Sequence, residues 1–407
     1  MFSVKSVDEV FKIIDSNFSC FNLETEIVDI KEALGRITAE ELTSGEDIPG
    51  FNRSSVDGYA VIASDTFGAN DSIPAQLKLV GEVRMGEKPQ VILSRGQAVY
   101  VPTGGELPHN ADAVVMIEYT ENYDDGFIYI NKCSAPGNHV VFKGDDIKAG
   151  KMVLNKGCLL RSQEIGLLAA LGHSSIKVKK KIKVGILSTG DEIVDVKDYP
   201  VGSQVRDINS YILYSAVLND NAVPKLYGII EDSMERIKET VKKALEDNDI
   251  VLISGGSSVG TRDETYKVIE MLGNPGILVH GVAVKPGKPT ILGKINEKAV
   301  LGLPGHPASA FIIYRIFVSY LIKVMNGKVR KFRNTVKAVM SSSYPSNNGR
   351  EEFIPVSLQS IDGETAAVPV FGKSGLISML VSADGYVHKP RGSEGLPSGA
   401  YVEVVLF

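Results

Sequence analysis

Residues 249–263 read DIVLISGGSSVGTRD, and their types suit the making of a ligand crevice. Ile250, Val251, Leu252 and Ile253 predict a short buried strand. It runs into Ser254, Gly255, Gly256, Ser257, Ser258, Val259 and Gly260, and a helical pattern follows from Asp263. Open α/β sheets form crevices this way at the carboxyl ends of their strands. Glycines admit close backbone approach, and the free N–H groups of a helix start favour anions. A tight βα turn without a ligand has the same local spelling, so the surrounding polar groups decide. Ser188, Thr189, Gly190, Asp191 and Glu192 follow the apolar run KVGIL. Asp207, Asn209 and Ser210 open one predicted helix, and Asp263 and Glu264 open another. Carboxylates beside a phosphate-binding loop suit Mg2+, which takes one or two carboxylates with ligand phosphates and water. Singly, Asp207, Asp232 and Asp263 read as helix caps; beside the glycine loop they read as a group.

Lys285 and Lys288 stand three residues apart in VKPGKP, on a turn stiffened by Pro286 and Pro289. That spacing suits a fixed cationic clamp for an oxyanion, although solvated lysines on a surface turn read the same way. Pro304, Gly305, His306 and Pro307 form another strand-to-helix turn, where His306 is either a ligand contact or a capping residue. Asp57 sits beside Gly58 in PGFNRSSVDGYA, and Thr103 precedes two glycines in PTGG. No Ser/His/Asp triad, HExxH, GxSxG or Walker-A pattern is present, which removes support for acyl-enzyme, zinc-hydrolase and P-loop chemistry.

The elements that must hold these residues follow from periodicity. A capping box at Ser6 and Glu9 precedes Val7, Val10, Phe11 and Ile14 at helical spacing. A second short helix is expected over 30–34, and short β-type runs fill 47–136. Residues 182–325 alternate strand and helix. Helices are expected at 208–218, at 263–272, at 306–325, and from a cap at Asp232 to Leu245. Strands are expected near 277–285, 289–295 and 298–303. Such alternation predicts a mainly parallel sheet covered on both faces. Residues 333–407 read as short strands with turns at 347–349, 362–363 and 384–385, hence a small β-barrel or sandwich. The expected class is multidomain α/β plus β: a mainly parallel three-layer α/β domain with a β-rich module before it and a small all-β domain after it.

With 407 residues, 43% hydrophobic and 23% charged, the chain can bury several cores. Net charge is −5 and the pI about 5.8, so no global basic field recruits nucleic acid or a membrane surface. The basic run 177–183 reads as a solvated strand edge. Cys20, Cys133 and Cys158 are odd in number and lack metal spacing, which fits a reducing cytosol. The N-terminus shows no export-signal core, and the apolar segment 308–325 carries Arg315 and Lys323, so a buried helix is expected rather than a span.

Eight collinear strings resemble the MoeA/gephyrin family of molybdopterin molybdenumtransferases: PGFNRSSVDGYA, PTGGELPHNADAVVMIE, KGDDIKAG, STGDEI, SGGSSVGTRDE, VKPGKPT, GLPGHPASA and GKSGLISML. The resemblance implies insertion of molybdate into the dithiolene of adenylylated molybdopterin, with Mg2+-dependent release of AMP. It implies four domains: a linking domain of residues 1–46 and 137–180, a β-rich inserted domain 47–136, a mainly parallel three-layer α/β domain 181–326 of molybdopterin-binding type, and a C-terminal β-barrel 333–407. An elongated homodimer is implied, with the cleft shared between subunits and the molybdopterin adenylyltransferase as a candidate partner. Glu192, Asp207 and Asp263 would handle Mg2+ and the adenylate, and the loop from Ser254 to Gly260 would cradle the pterin phosphate. The pterin site would also draw on Ser188, Thr189, Gly190, Asp191, Pro304, Gly305 and Pro307. Lys285, Lys288, Pro289, Arg350 and Ser374 would meet the oxyanion. Asp57, Thr103 and either Asp145 or Asp146 would come from the partner subunit. His306 stands where the family usually has asparagine, and molybdate and tungstate are not distinguished. Molybdopterin adenylylation and a gephyrin-like scaffold role are the alternatives; the single α/β unit and its flanks favour the transferase.

Overall fold

The computed structural model describes residues 4–255, 259–327, 334–346, 349–361 and 363–407, with the backbone alone for 259–263. Its contacts divide the chain into two units: Met1–Val28, Glu32–Ala39 and Lys177–Phe407 form one, and Asp29–Lys31 with Glu40–Ile176 the other.

The first unit holds an α/β sheet. Helix α1 (Val7–Phe18) begins on the expected capping box, with the Glu9 amide donating to Ser6 Oγ at 3.3 Å and the Ser6 amide to Glu9 Oε2 at 2.8 Å. Strand β1 (Lys183–Thr189), helix α2 (Asn209–Asn219), β2 (Val223–Ile230), α3 (Met234–Asp247), β3 (Ile250–Gly255) and α4 (Val259–Leu272) alternate as the sequence predicts. β4 (Pro275–His280), β5 (Ile291–Ile295) and β6 (Lys298–Leu303) complete a sheet ordered β2-β1-β3-β6-β5-β4. Strands β2, β1, β3 and β6 run parallel, and β5 and β4 continue antiparallel. In β3, Ile250 and Leu252 face a core built with α1, α2 and the helical segment 307–325. Val251 and Ile253 face the other core, against α3 and α4. Each fully buried aliphatic side chain contributes roughly 1.5–3 kcal/mol, so a strand covered on both faces anchors the sheet.

Several local expectations need correction. The cap of α3 is Ser233, whose Oγ accepts the Arg236 amide at 3.2 Å, and not Asp232. Helix α4 starts at Val259, so Asp263 and Glu264 do not open it. The helix expected over 30–34 is one 3-10 turn, Ile30–Glu32. The expected strand 277–285 divides: β4 stays in the sheet, while Val284–Lys285 leaves it. The segment 307–325 begins as helix α5 (Pro307–Ile313), loosens into a π turn at Tyr314–Val318, and resumes as α6 (Ser319–Met325). It is long and apolar enough to cross a membrane, yet 78% of its most apolar window is buried in the protein core.

The same unit ends in a closed five-strand barrel, ordered β8-β9-β7-β11-β10 and back to β8. These strands are β7 (Thr335–Met340), β8 (Glu351–Ile361), β9 (Glu364–Pro369), β10 (Gly385–Lys389) and β11 (Tyr401–Leu406). The departing Val284–Lys285 pairs parallel with β8, placing Lys285 opposite Glu352. Of the turns expected here, Asn347, Asn348 and Asp362 lie outside the described residues.

The second unit contains a six-strand sheet ordered Ala113–Met116, Gly58–Val61, Gln97–Val101, Ala75–Glu82, Phe127–Ile130 and Thr120–Asn122. Alternate residues supply separate cores, with Tyr59, Val61 and Val115 on one face and Ala60, Val99 and Val114 on the other. Gly58 is required where two backbones meet, because a Cβ there would lie 2.1 Å from the Val115 carbonyl oxygen. None of the three cysteines forms a disulfide.

Candidate active site

The carboxyl ends of β1, β3 and β6 open onto one cavity of about 240 Å³. Glu192, Asp207, Asn209, Ser254, Gly255, Gly305, His306 and Pro307 are among its walls. The strand ends are drawn together locally. After β1, Ile193–Val194 runs parallel to Val205–Arg206, the Val205 amide donating to the Glu192 carbonyl at 2.8 Å and the Asp207 amide to the Val194 carbonyl at 2.9 Å. That ladder brings Glu192 and Asp207 to the same mouth.

Asp207 is buried, and its Oδ1 accepts from Ser188 Oγ and from the Ser210 amide, both at 3.0 Å. The bond to Ser210 is a cap-like contact, yet the carboxylate still lines the cavity. Asn209 ties two walls together: its Nδ2 donates to Ser254 Oγ and to the Gly305 carbonyl, each at 2.7 Å. Its Oδ1 and Thr189 Oγ1 are buried with no hydrogen-bond partner among the described residues. A buried acceptor left open costs free energy until a donor reaches it, so these atoms mark where a polar ligand would be satisfied. Gly255 keeps that region open, since a Cβ there would come within 2.8 Å of Thr189 Oγ1.

His306 stands before the first turn of α5, its Nδ1 2.9 Å from Ser374 Oγ, while the Ala308 amide donates to the Ser374 carbonyl at 3.1 Å. The GKSG loop thus reaches the cavity, and its Gly375 also lines it. Of the other residues singled out from the sequence, Gly190 has φ +151° and Asp191 Oδ1 accepts the Asp232 amide at 3.4 Å. Pro304 is buried behind the turn. Gly256, Ser257 and Ser258 lie outside the described residues, as does the side chain of Asp263; Gly260 lies in the first turn of α4.

A second polar cluster forms where Val284–Lys285 meets the barrel. Lys285 Nζ donates to Glu352 Oε2 at 3.2 Å; Glu352 is 4% exposed and also accepts from the Tyr344 and Ser346 hydroxyls. Burial pushes the Tyr344 hydroxyl above its usual range, with the Lys285 charge opposing and Glu352 reinforcing the shift. Arg350 and Lys288 are exposed and Pro289 is half-buried. Lys285, Lys288, Pro289 and Arg350 do not line the 240 Å³ cavity. In the second unit, Asp57 Oδ1 accepts the Thr103 amide at 2.8 Å, which explains why an acid and a PTGG turn occur as a pair. Asp145 Oδ2 accepts the Phe142 amide at 2.7 Å, whereas Asp146 has no side-chain bond of this kind among the described residues; both acids are exposed. Sequence reasoning missed Asn209 as a bridge and Glu352 as the carboxylate behind Lys285. Proximity of Asn209 to Asp207 was a signal; for Glu352 only the barrel pairing reveals it.

Three family profiles cover the chain in order: "MoeA N-terminal region (domain I and II)" over residues 5–172, "Probable molybdopterin binding domain" over 185–323, and "MoeA C-terminal region (domain IV)" over 337–407. A Methanocaldococcus jannaschii protein named for molybdopterin biosynthesis is 36% identical, covering 99% of this chain and 97% of its own. The Bacillus subtilis molybdopterin molybdenumtransferase is 30% identical over 94% of this chain and 90% of its own length. The crystal structure of the MoeA protein of Pyrococcus horikoshii superposes with a TM-score of 0.86 at 34% identity, each chain covered completely. With profiles in order, identities of 30% and above over nearly the full length, and one shared fold, the chain belongs to the MoeA family.

Proposed function

We propose that this protein is a molybdopterin molybdenumtransferase: it inserts molybdate into adenylylated molybdopterin and releases AMP. The observation that carries this reading is the cavity at the ends of β1, β3 and β6, with two carboxylates, Glu192 and Asp207, on its walls and two unpartnered buried acceptors, Asn209 Oδ1 and Thr189 Oγ1, behind them. The family membership supports it.

The donor set fits Mg2+ that arrives with its ligand. Among the described residues no group of three His, Cys, Asp or Glu forms a self-sufficient metal site. Mg2+ binds through one or two carboxylates plus substrate phosphates, and Glu192 and Asp207 supply that number. Asp263 is the proposed third acid. Bound there, Mg2+ would offset the charge of the departing AMP. The chain's own residues do the rest. Ser188 and Ser210 orient Asp207. Ser254 and Gly255, with the proposed cradle of Gly256, Ser257, Ser258 and Gly260, give a backbone that approaches the pterin phosphate. Lys285, Lys288, Arg350 and Ser374 are the proposed oxyanion contacts. Asp57, Thr103 and Asp146 are the proposed contribution of a partner subunit, Asp146 being preferred because Asp145 is engaged in its own turn.

Homodimer formation is supported by α2, where Tyr211, Tyr214 and Leu218 are exposed at helical spacing on one side. A cytoplasmic location is part of the same proposal. The test is AMP release from adenylylated molybdopterin, with and without molybdate and Mg2+. Release that needs Mg2+ and accelerates with molybdate, yielding active cofactor, is the expected result. Pyrophosphate formed from ATP and free molybdopterin would instead make the chain the adenylylating enzyme. Tight pterin binding without turnover would make it a scaffold.

A further inference from the structure

A second polar cavity, of about 300 Å³, lies between the long helical segment and the barrel. Its walls include Asp220, Arg315, Ser319, Tyr320, Lys323 and Asn334. It is separate from the cavity above: Asn209 starts α2 and Asp220 follows its last residue, so the two ends of this helix are roughly 16 Å apart at 1.5 Å per residue.

Three observations point to a ligand. The helix adopts its π turn, Tyr314–Val318, at this wall, and such turns occur frequently at functional sites. Tyr314 and Ser319 both donate to Asp220 Oδ2, at 2.8 and 2.5 Å, so the one acid in the wall is engaged by hydroxyls. The cations are not matched in this way. Arg315 donates through Nη2 to the Leu406 carbonyl at 2.9 Å, while its Nε is buried with no hydrogen-bond partner. Neither Arg315 nor Lys323 forms an ion pair with a carboxylate among the described residues. A guanidinium carries five donors in a fixed fork, so leaving one buried and idle is costly unless an acceptor occupies the cavity.

We infer that this cavity is a phosphate-binding site, in which Arg315 and Lys323 hold a tetrahedral oxyanion, free or as a phosphate monoester. A tetrahedral oxyanion presents acceptors in several directions, so it can be shared by the arginine of the π turn and the lysine about two turns further along the same helical segment, both of which line the cavity. The inference does not rest on the molybdopterin reading.

The test is equilibrium dialysis with labelled inorganic phosphate, repeated with glycerol phosphate. It is run in a Lys285→Gln/Lys288→Gln background, so that the proposed oxyanion clamp does not contribute. That background should still bind phosphate. Adding Lys323→Gln or Arg315→Lys should weaken binding about tenfold or more, the loss expected for one charge-assisted hydrogen bond. Lys323 is exposed, so Lys323→Gln should melt like its parent, which keeps misfolding out of the reading. Preference for glycerol phosphate would identify a monoester ligand, and preference for inorganic phosphate the free ion. Absence of binding at millimolar phosphate in the parent background, or binding unchanged by both substitutions, would overturn the inference.

Discussion

Lys285→Ala tests whether one lysine serves both stability and oxyanion use. Its Nζ is 3.2 Å from Glu352 Oε2, and the side chains are 58% and 5% exposed. At that separation an effective dielectric of about 20 gives a Coulomb attraction of about 5 kcal/mol. The lysine is more than half exposed, so solvent screening reduces this to about 1–3 kcal/mol. Glu352 keeps its bonds from Tyr344 and Ser346 after the substitution, which places the loss toward the lower half of that range. Lys285→Ala should therefore lower the melting temperature by about 2–4 °C per kcal/mol lost, taking a unit of ordinary domain size. Glu352→Gln removes the buried charge while keeping its shape. In Lys285→Ala/Glu352→Gln most of the lost stability should return, because no carboxylate is then buried without its cation. The assays are a thermal melt of all four proteins and the molybdate dependence of AMP release. If the lysine also meets the oxyanion, the double variant should be stable yet still need more molybdate. A coupling energy within about 0.5 kcal/mol of zero would refute the electrostatic argument. Full molybdate response in the stable double variant would refute the clamp.

Other outcomes follow from the same contacts. Asn209→Ala removes two 2.7 Å bonds and should cost about 1–3 kcal/mol for each partner left unsatisfied; a melt and a titration with adenylylated molybdopterin should both show weakening. Gly58→Ala would drive a Cβ to 2.1 Å from the Val115 carbonyl oxygen, so the strands must part, at a cost of about 3 kcal/mol or more; faster amide exchange across Gly58–Val61 and Ala113–Met116 would register it. Burial holds the Asp249 carboxyl above its ordinary value, against the Lys183 amide bond and the Lys298 and Lys183 charges. Asp249 therefore favours the fold when protonated, and that contribution disappears as pH rises through its folded-state value. Asp249→Asn should gain stability relative to the parent as pH rises from acid to neutral, and an advantage confined to acid pH would contradict the sign.

Local chemistry was readable in the chain itself. The Ser6 and Glu9 box, the apolar runs that became β1, β3 and β6, and the small-residue turns after them depend on neighbours within a few residues. For the same reason Glu192, Asp207, Ser254, Gly255, Gly305 and Pro307 could be singled out from position alone, and the fold gathers them around one cavity. Where local signals competed, the reading slipped. Asp232 and Ser233 are adjacent cap formers, and only the backbone geometry selects Ser233. The serine just before Val259 is a cap former that also reads as part of the glycine loop, so α4 starts before its acids announce it.

Tertiary structure alone decided the long-range pairings. Glu352 lies 67 residues from Lys285, and Ser374 lies 68 from His306. The first pair arises because Val284–Lys285 pairs with a strand of the barrel, and the second because the GKSG loop meets the turn before α5. Asp220 likewise accepts from Tyr314 and Ser319, 94 and 99 residues away. A sequence specifies each strand's and helix's own preference, because that energy is local. Which charge is buried beside which depends on how whole elements pack, and there the shared core decides.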